Sequence, residues 1–306
     1  MFRTLFTILV VLISLAGIVS SQEVSDREVS EKLVAQVDFS TLVQETLRVS
    51  PDLRCVAYAV KAGDKMRMVV NGKEKKDYEW VGTPVFSPDG KRIAYVVKTG
   101  EGMCLVLDEK EGERHEEIFD SPVFSPDGKH VAYVARIGEK KCVVLDGKKD
   151  KQFDDVLTRS VVFSPNSKHI AYTAKIADKW CMVIDGKEQK QYDGIGIESF
   201  VFSADSSRTS YVAQTGENWL VVSDGKEGKQ YYGIESGPAF SPDSKKVVYI
   251  ARSATQACVV VDSKEEKQYE DVVTGSVVFS PDGKRLAYVA RTGGKTFAVI
   301  DGKEQR

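Results

Sequence analysis

The chain has 306 residues, with 43 basic and 45 acidic side chains and a formal net charge of −2. That balance, with no basic tail and no interleaved basic and aromatic run, argues against a polyanionic partner and so against nucleic acid. Apolar and charged shares of 42% and 29% are ordinary for a folded globular protein.

The first segment differs from the rest. Met1-Phe2-Arg3 is a short basic start, Leu5 to Val19 is continuously apolar, and Ser20-Ser21 are small. This pattern predicts a secretory signal peptide over residues 1–21, with cleavage after Ser21. The run is short for a membrane span, which needs about 20 residues, so no stable span is expected after cleavage. No Cys follows the run, so no lipid anchor is expected. Residues 22–33 are polar and charged and read as a short leader.

From about residue 34 the chain repeats. A Phe occupies equivalent positions at Phe86, Phe124, Phe163, Phe202, Phe240 and Phe279, and a weaker copy begins at Val49. The spacings of 37 to 39 residues define seven copies, and a period near 40 with strand patterning marks a repeat array. Each copy reads as four strands. In the fourth copy they are Ser160 to Phe163, His169 to Ala174, Trp180 to Ile184 and Glu188 to Tyr192. The first turn carries Ser-Pro-Asp-Gly or a variant. Pro presets φ, Asp bonds the backbone just after it, and Gly283 and its equivalents accept a positive φ. The turn between third and fourth strands is of the Asp-Gly hairpin type, as at Asp185-Gly186.

Units of this size cannot bury both sheet faces alone, so they are expected to pack face to face around an axis. The chain ends at Asp301 to Arg306, where a seventh fourth strand should begin. Gln36-Val37-Asp38-Phe39 lies ten residues before Val49, matching Gln191-Tyr192 before Phe202. The N-terminal segment is therefore expected to supply the outer strand of the last unit, closing a ring and removing an open edge.

The repeat F-S-P-D-G-K-x-x-A-Y-V-A, as in residues 124–135 and 279–290, resembles the TolB-like, or WD40-like PD40, β-propeller family over about residues 34–306. The resemblance implies an all-β, seven-bladed β-propeller of four-stranded antiparallel blades. Such propellers serve as protein-binding platforms, ligand-binding modules and non-catalytic domains of peptidases. Neither a TolB-type N-terminal domain nor a hydrolase domain is recognisable, so no specific role transfers.

Repeated residues are structural first. Cys104, Cys142, Cys181 and Cys258 each lie 18 residues after their repeat's Phe position. Neighbouring sheets sit about 10 Å apart, so these thiols are expected unpaired and buried rather than bridged or metal-bound. The Lys two residues after each hairpin Asp or Asn is assigned to a solvated edge. Asp52, Asp89, Asp127, Asp205, Asp243 and Asp282, with Asn166, are assigned to turns rather than to cations. His130 and His169 replace Arg or Lys in a basic surface slot, and His115 is expected to face solvent. No nucleophile elbow, zinc-binding or Walker-type motif is present, so no catalytic residue, metal or cofactor is assigned.

Recognition is expected where copies differ: the second-to-third-strand turns and the connections between units. Three residues before the Phe position stand Thr46, Thr83, Ser121, Ser160, Ser199 and Ser276, with Gly237 in the sixth copy. These hydroxyls either bond neighbouring backbone or ring a channel mouth. One position earlier the copies diverge, with Glu45, Asp120, Arg159 and Glu198 the charged members. Trp180 and Trp219 open the third strands of adjacent units, where they either pack between blades or join Arg159 and Glu198 in a patch. Trp and Arg are favoured interface anchors. The expected function is an exported, non-catalytic binding module, periplasmic or secreted, taking an unidentified protein or extracytoplasmic ligand and acting as a monomer. The alternatives are a lyase or hydrolase with a polar pocket at the channel mouth, and a carbohydrate-binding or structural envelope protein.

Overall fold

A computed structural model describes residues 40–305. The expected signal peptide, the polar leader and the closing segment Gln36 to Phe39 lie outside the described residues. Among the described residues there is no α-helix, only a three-residue 3-10 turn at Gln44–Thr46, and no helix long and apolar enough to cross a membrane. The chain divides into two compact units, one ending at Arg114 and one starting at His115. All regular structure is antiparallel sheet, and the described residues form seven sheets in sequence order.

The fourth sheet shows the plan. Its second strand is Ile170–Ile176, its third Lys179–Ile184 and its fourth Lys187–Tyr192, in the register the alternating pattern requires. The first strand differs from the expected Ser160 to Phe163. It comes in two pieces, Asp155–Val156 and Val162–Phe163, both pairing with Ile170–Ile176. The segment read as a loose connection between units is thus already half of the next first strand. The interruption between the pieces is built, not frayed. Ser160 Oγ donates to Leu157 O (2.6 Å) and accepts the Thr173 N–H (3.0 Å). Ser199, Ser276 and Thr46 repeat both bonds in their own sheets. At these four positions the hydroxyl column is backbone-bonded.

The two recurring turns are equally self-contained. In the fifth sheet buried Ser203 donates to Asp205 Oδ1 (2.6 Å), and its oxygen accepts the Arg208 N–H (3.0 Å). Asp205 also takes the Ser207 N–H, as an Asx turn does. The hairpin Asp224 then ties both turns together. One carboxylate oxygen accepts the Thr209 N–H and the other accepts Arg208 Nε, each at 3.0 Å. His130 and His169 occupy the same slot, bonding Asp146 and Asp185 through Nδ1 at 2.6 and 2.7 Å. The hairpin Asp residues sit at φ near 49°, the left-handed region Asp tolerates.

Within each unit consecutive sheets bury their faces against one another. In the second unit Val143, Tyr172, Ala174 and Cys181 share one core between the third and fourth sheets, and Val248, Tyr269, Tyr288 and Val299 share another between the sixth and seventh. Tyr192 and Tyr269, which end fourth strands, and Tyr231, held by a bridge to Trp219, stand edge-on to Tyr211, Tyr288 and Tyr249 of the next sheet, with centroids 6.3 to 6.4 Å apart. His115 holds this aromatic slot for the third sheet. It is 5% exposed, with its ring 5.7 Å from Tyr133 and Nε2 3.1 Å from the Tyr133 hydroxyl. The expectation that His115 faces solvent is therefore wrong, because it stands where other copies place a core Tyr or Phe.

The four equivalent cysteines are free and buried, as expected. Burial pushes the Cys181 and Cys258 thiols up to about 11. The lysines that follow the hairpin Asp are exposed. In the seventh sheet the C-terminal residues Lys303–Gln305 themselves pair with Ala298 to Ile300 as a fourth strand. The outermost position there is thus partly filled by the chain's own C-terminal end, where the N-terminal segment alone was expected.

Two outcomes follow for the turns. Ser203→Ala removes two hydrogen bonds of a buried hydroxyl and is expected to destabilise by about 1–2 kcal/mol, whereas exposed Ser207→Ala stays within about 0.5 kcal/mol, both read from urea unfolding. Ser125 and Ser203 hold Asp127 and Asp205 down to about 2 from an ordinary value near 3.8. A carboxyl depressed on folding stabilises above its unfolded value. Unfolding midpoints should therefore fall as pH drops from about 4 towards 2, and Asp205→Asn should flatten that slope.

Candidate functional site

Most polar residues of the repeat are spoken for by the bonds above. A site is therefore best sought where one copy departs from the others. The gaps between sheets at the end carrying the second-to-third-strand turns allow that comparison within the second unit. Between the third and fourth sheets Lys140 faces Asp154 (3.6 Å) and Lys141 meets Asp155 (2.7 Å). Between the fourth and fifth sheets Lys179 is bonded to Asp193. In each case a cation opening the third strand reaches an acid 14 residues later, just before the next first strand.

The acid has a second duty. Asp154 accepts the N–H of Ala177 (2.7 Å) and Asp193 that of Gly216 (2.8 Å), holding the two-residue turn of their own sheet. Glu116 and Glu270 do the same for Gly138 and Gly293. These contacts keep both Asp carboxyls below the usual range. For Asp193 the Lys179 ammonium is the larger influence and for Asp154 the Ala177 N–H.

Between the fifth and sixth sheets both partners change. Asn218 stands where Lys140 and Lys179 stand, and Tyr232 where Asp154 and Asp193 stand. The sixth-sheet turn no longer needs an acid, because Ser253-Ala254-Thr255-Gln256 closes itself. The Ser253 N–H donates to Gln256 O (2.8 Å), and the Gln256 N–H donates to Ser253 Oγ (3.1 Å). Its flanking strands, Val247–Arg252 and Ala257–Val261, are correspondingly short. With the ion pair gone, the gap stays open as a cleft of about 230 Å³, lined by Asn218, Gln230, Tyr232, Ser253, Gln256 and Gln268 among others. Tyr232 is 69% exposed. Lys229 and Glu265 cross the cleft to each other at 2.7 Å, and Lys229 also lies over the Tyr231 ring. Each holds the other charged: the Glu265 carboxyl is lowered chiefly by Lys229, and the Lys229 ammonium raised chiefly by Glu265. The hydroxyls of Tyr231, Tyr249 and Tyr269 are buried without a hydrogen-bond partner, and Tyr231 is part of the cleft wall.

The residues nominated from the sequence fall in two places. Asp120, Arg159 and Glu198 are exposed and left-handed, with φ of 58°, 61° and 54°, at the interruption of their first strands. Asp120 and Arg159 are brought together by the Arg159 N–H, which donates to Asp120 Oδ2 (3.0 Å). Glu45 lies in the 3-10 turn of the first unit. Trp180 and Trp219 are half-buried. Trp180 packs on the core shared by the fourth and fifth sheets and Trp219 on that shared by the fifth and sixth. Trp219 pairs with Tyr231 and follows Asn218, so it borders the cleft. The cleft itself escaped the sequence reading. Its signal was the column of third-strand openings one residue before the tryptophans, read together with the residue 14 further on.

No protein-family model matches the chain, and no curated protein does. Several solved structures are similar over much of the chain at low identity. TolB from Acinetobacter baumannii is 16% identical over 75% of this chain and 63% of its own, with a TM-score of 0.34. The β-propeller domain of the Trilobed protease from Pyrococcus furiosus is 18% identical over 82% of this chain and 91% of its own, at 0.37. Pyrococcus horikoshii acylaminoacyl peptidase is 17% identical over 82% of this chain and half of its own, at 0.34. The match thus spans less than two thirds of the TolB and peptidase chains.

The substitution logic of the cleft can be run backwards. Asn218→Lys with Tyr232→Asp recreates the cation and acid of the third-to-fourth and fourth-to-fifth gaps. The double variant should fold with stability within about 1 kcal/mol of the parent, since exposed ion pairs contribute little. Its crystal structure should show the two introduced side chains bonded to each other across a filled gap.

Proposed function

We propose that this protein is an exported, non-catalytic binding module, periplasmic or secreted, built as a seven-bladed β-propeller. In this reading residues 36–39 complete the outer strand of the last blade and close the ring. Recognition of a protein or other extracytoplasmic ligand takes place on the end that carries the second-to-third-strand turns. The observation that carries the proposal is the contrast between copies. The repeated Ser, Asp and His residues are engaged in turn and strand bonds, whereas the departures at Asn218, Tyr232 and Ser253 to Gln256 converge on one cleft. Arg159, Trp180, Glu198, Trp219 and Asp120 belong to the same class of variable position and are proposed as a wider recognition surface of the second unit, with Glu45 the equivalent variable position of the first. Rigid repeat scaffolds commonly encode recognition in such positions.

Site-specific photo-crosslinking in the producing cell tests this. A crosslinker replacing Tyr232, Glu198 or Trp219 should yield adducts that a crosslinker at Lys226, on the opposite hairpin turns, does not. Adducts at Lys226 alone would overturn the assignment of the binding end. Turnover of a substrate abolished by substitutions in the cleft would overturn the non-catalytic assignment.

A further inference from the structure

We propose that the cleft between the fifth and sixth sheets takes one ring of an uncharged saccharide, with Tyr232 as its stacking face. The inference rests on the binding reading above and names the ligand for that site.

Charge comes first. The two ionised groups in the cleft, Lys229 and Glu265, are bonded to each other at 2.7 Å. The site therefore offers no unpaired charge of either sign to a ligand. A phosphate, carboxylate or ammonium group entering would have to break this pair, and an anion would meet the Glu265 carboxylate. What remains for a ligand is amide and hydroxyl chemistry: Asn218, Gln230, Gln256, Gln268 and Ser253. Each of these side chains offers both a donor and an acceptor. Saccharide hydroxyls also both donate and accept, and a ring presents them around its edge. This is the complement of a rim of amides.

Shape comes second. At about 230 Å³ the cleft is below the roughly 300–1,000 Å³ of sites for drug-sized ligands, so it suits a single ring rather than a large ligand. Tyr232 lines it and is 69% exposed, where other copies carry an acid. A ring with an apolar face and a polar tip is suited to a ligand with an apolar C–H face and polar edges. The remaining lining is consistent with this: Ala254 is small, and the Gln256 and Gln268 side chains are on exposed residues.

A peptide is the competing occupant. Extended peptides gain affinity by pairing with a sheet edge. The strand that opens at the cleft has neighbours on both sides. The third strand of the fifth sheet, Asn218–Ser223, is covered by Lys226–Glu227, by the Gly228 N–H on Val221 O and by the Trp219 to Tyr231 bridge. The first strand of the sixth sheet is paired along Gly233 to Phe240.

The test uses purified protein and neutral oligomers of glucose and of N-acetylglucosamine, two to six units long. Binding is read by saturation-transfer NMR and tyrosine fluorescence. A single ring in an open cleft should bind at about millimolar strength. Tyr232→Ala and Gln256→Ala should each weaken binding about tenfold or more. The sealed variant Asn218→Lys with Tyr232→Asp should abolish it, with a melting curve confirming that it is folded. Binding unaffected by Tyr232→Ala overturns the proposal, as does stronger binding of uronic-acid oligomers than of neutral ones. If no saccharide binds but a crosslinker at Tyr232 captures a protein, this inference fails while the binding-module reading stands. If neither occurs, both fail.

Discussion

The inner strands of each sheet in the second unit are apolar on both faces, and the need to bury both governs the packing. Each sheet of the second unit buries residues of its second and third strands against its neighbours. Burial is worth about 25 cal/mol per Å² of apolar surface, so these shared cores are the main source of stability. Apolar packing sets no register by itself. The polar contacts at the margins of each gap do that. At one end the turn N–H groups of Asp127, Asn166 and Asp205 each donate at 3.0 Å to Ser167, Ser206 and Ser244 of the following sheet. Where the following turn carries Gly283 instead, a Cβ would lie 2.6 Å from Asp243, so the glycine is needed for the close approach. Along the outer strands Lys190, Lys229 and Lys267 reach Glu227, Glu265 and Glu304 of the next sheet. At the remaining margin lie the Lys140–Asp154 and Lys179–Asp193 pairs.

Those margins explain how such a scaffold acquires a site without losing its fold. A substitution in the core or in the Ser-Asp turn would leave a cavity or an unmet buried group, each costing on the order of 1–5 kcal/mol. A substitution in an exposed ion pair costs roughly 0–1 kcal/mol. Variation is thus tolerated at the ion-pair margin first. The fifth-to-sixth gap is varied there, by Asn218 and Tyr232, while its core keeps the tyrosine pair and its outer margin keeps Lys229–Glu265. The self-closing turn at Ser253 to Gln256 removes the other reason for an acid at position 232.

Much of the architecture is legible because the repeat aligns the chain with itself. Period, turn chemistry, strand alternation and the burial of the four equivalent cysteines follow from residue type and spacing alone. What escapes has a common cause: it depends on contacts between positions that no local pattern links. The split first strand is hidden because pieces as short as Asp155–Val156 carry too few residues to show alternation. The link from Arg208, His130 or His169 to a hairpin Asp 16 residues later needs the strand register to be seen. His115 is misplaced because charged neighbours outweigh its column, in which Tyr192, Tyr231 and Tyr269 are buried. The nominated tryptophans lie beside the informative column. Trp219 borders the cleft, but its own side chain packs on the buried core between the fifth and sixth sheets.

The proposed reading of the cleft as a recognition site draws on the same geometry. Catalysis by proton transfer needs a group whose charge is free to change and which reaches the reacting atom. In the cleft the ionisable pair is mutually held, with Glu265 lowered and Lys229 raised. Burial pushes the Tyr231 phenol well above its ordinary value and the Cys258 thiol up to about 11. Near neutral pH each of these groups therefore keeps its proton or its ionic partner. Amides do not titrate, and an exposed tyrosine ring offers contact rather than reactivity. A site assembled from such groups gains by fitting a ligand's surface. That is what the loss of an ion pair at the margin of an otherwise unchanged fold supplies.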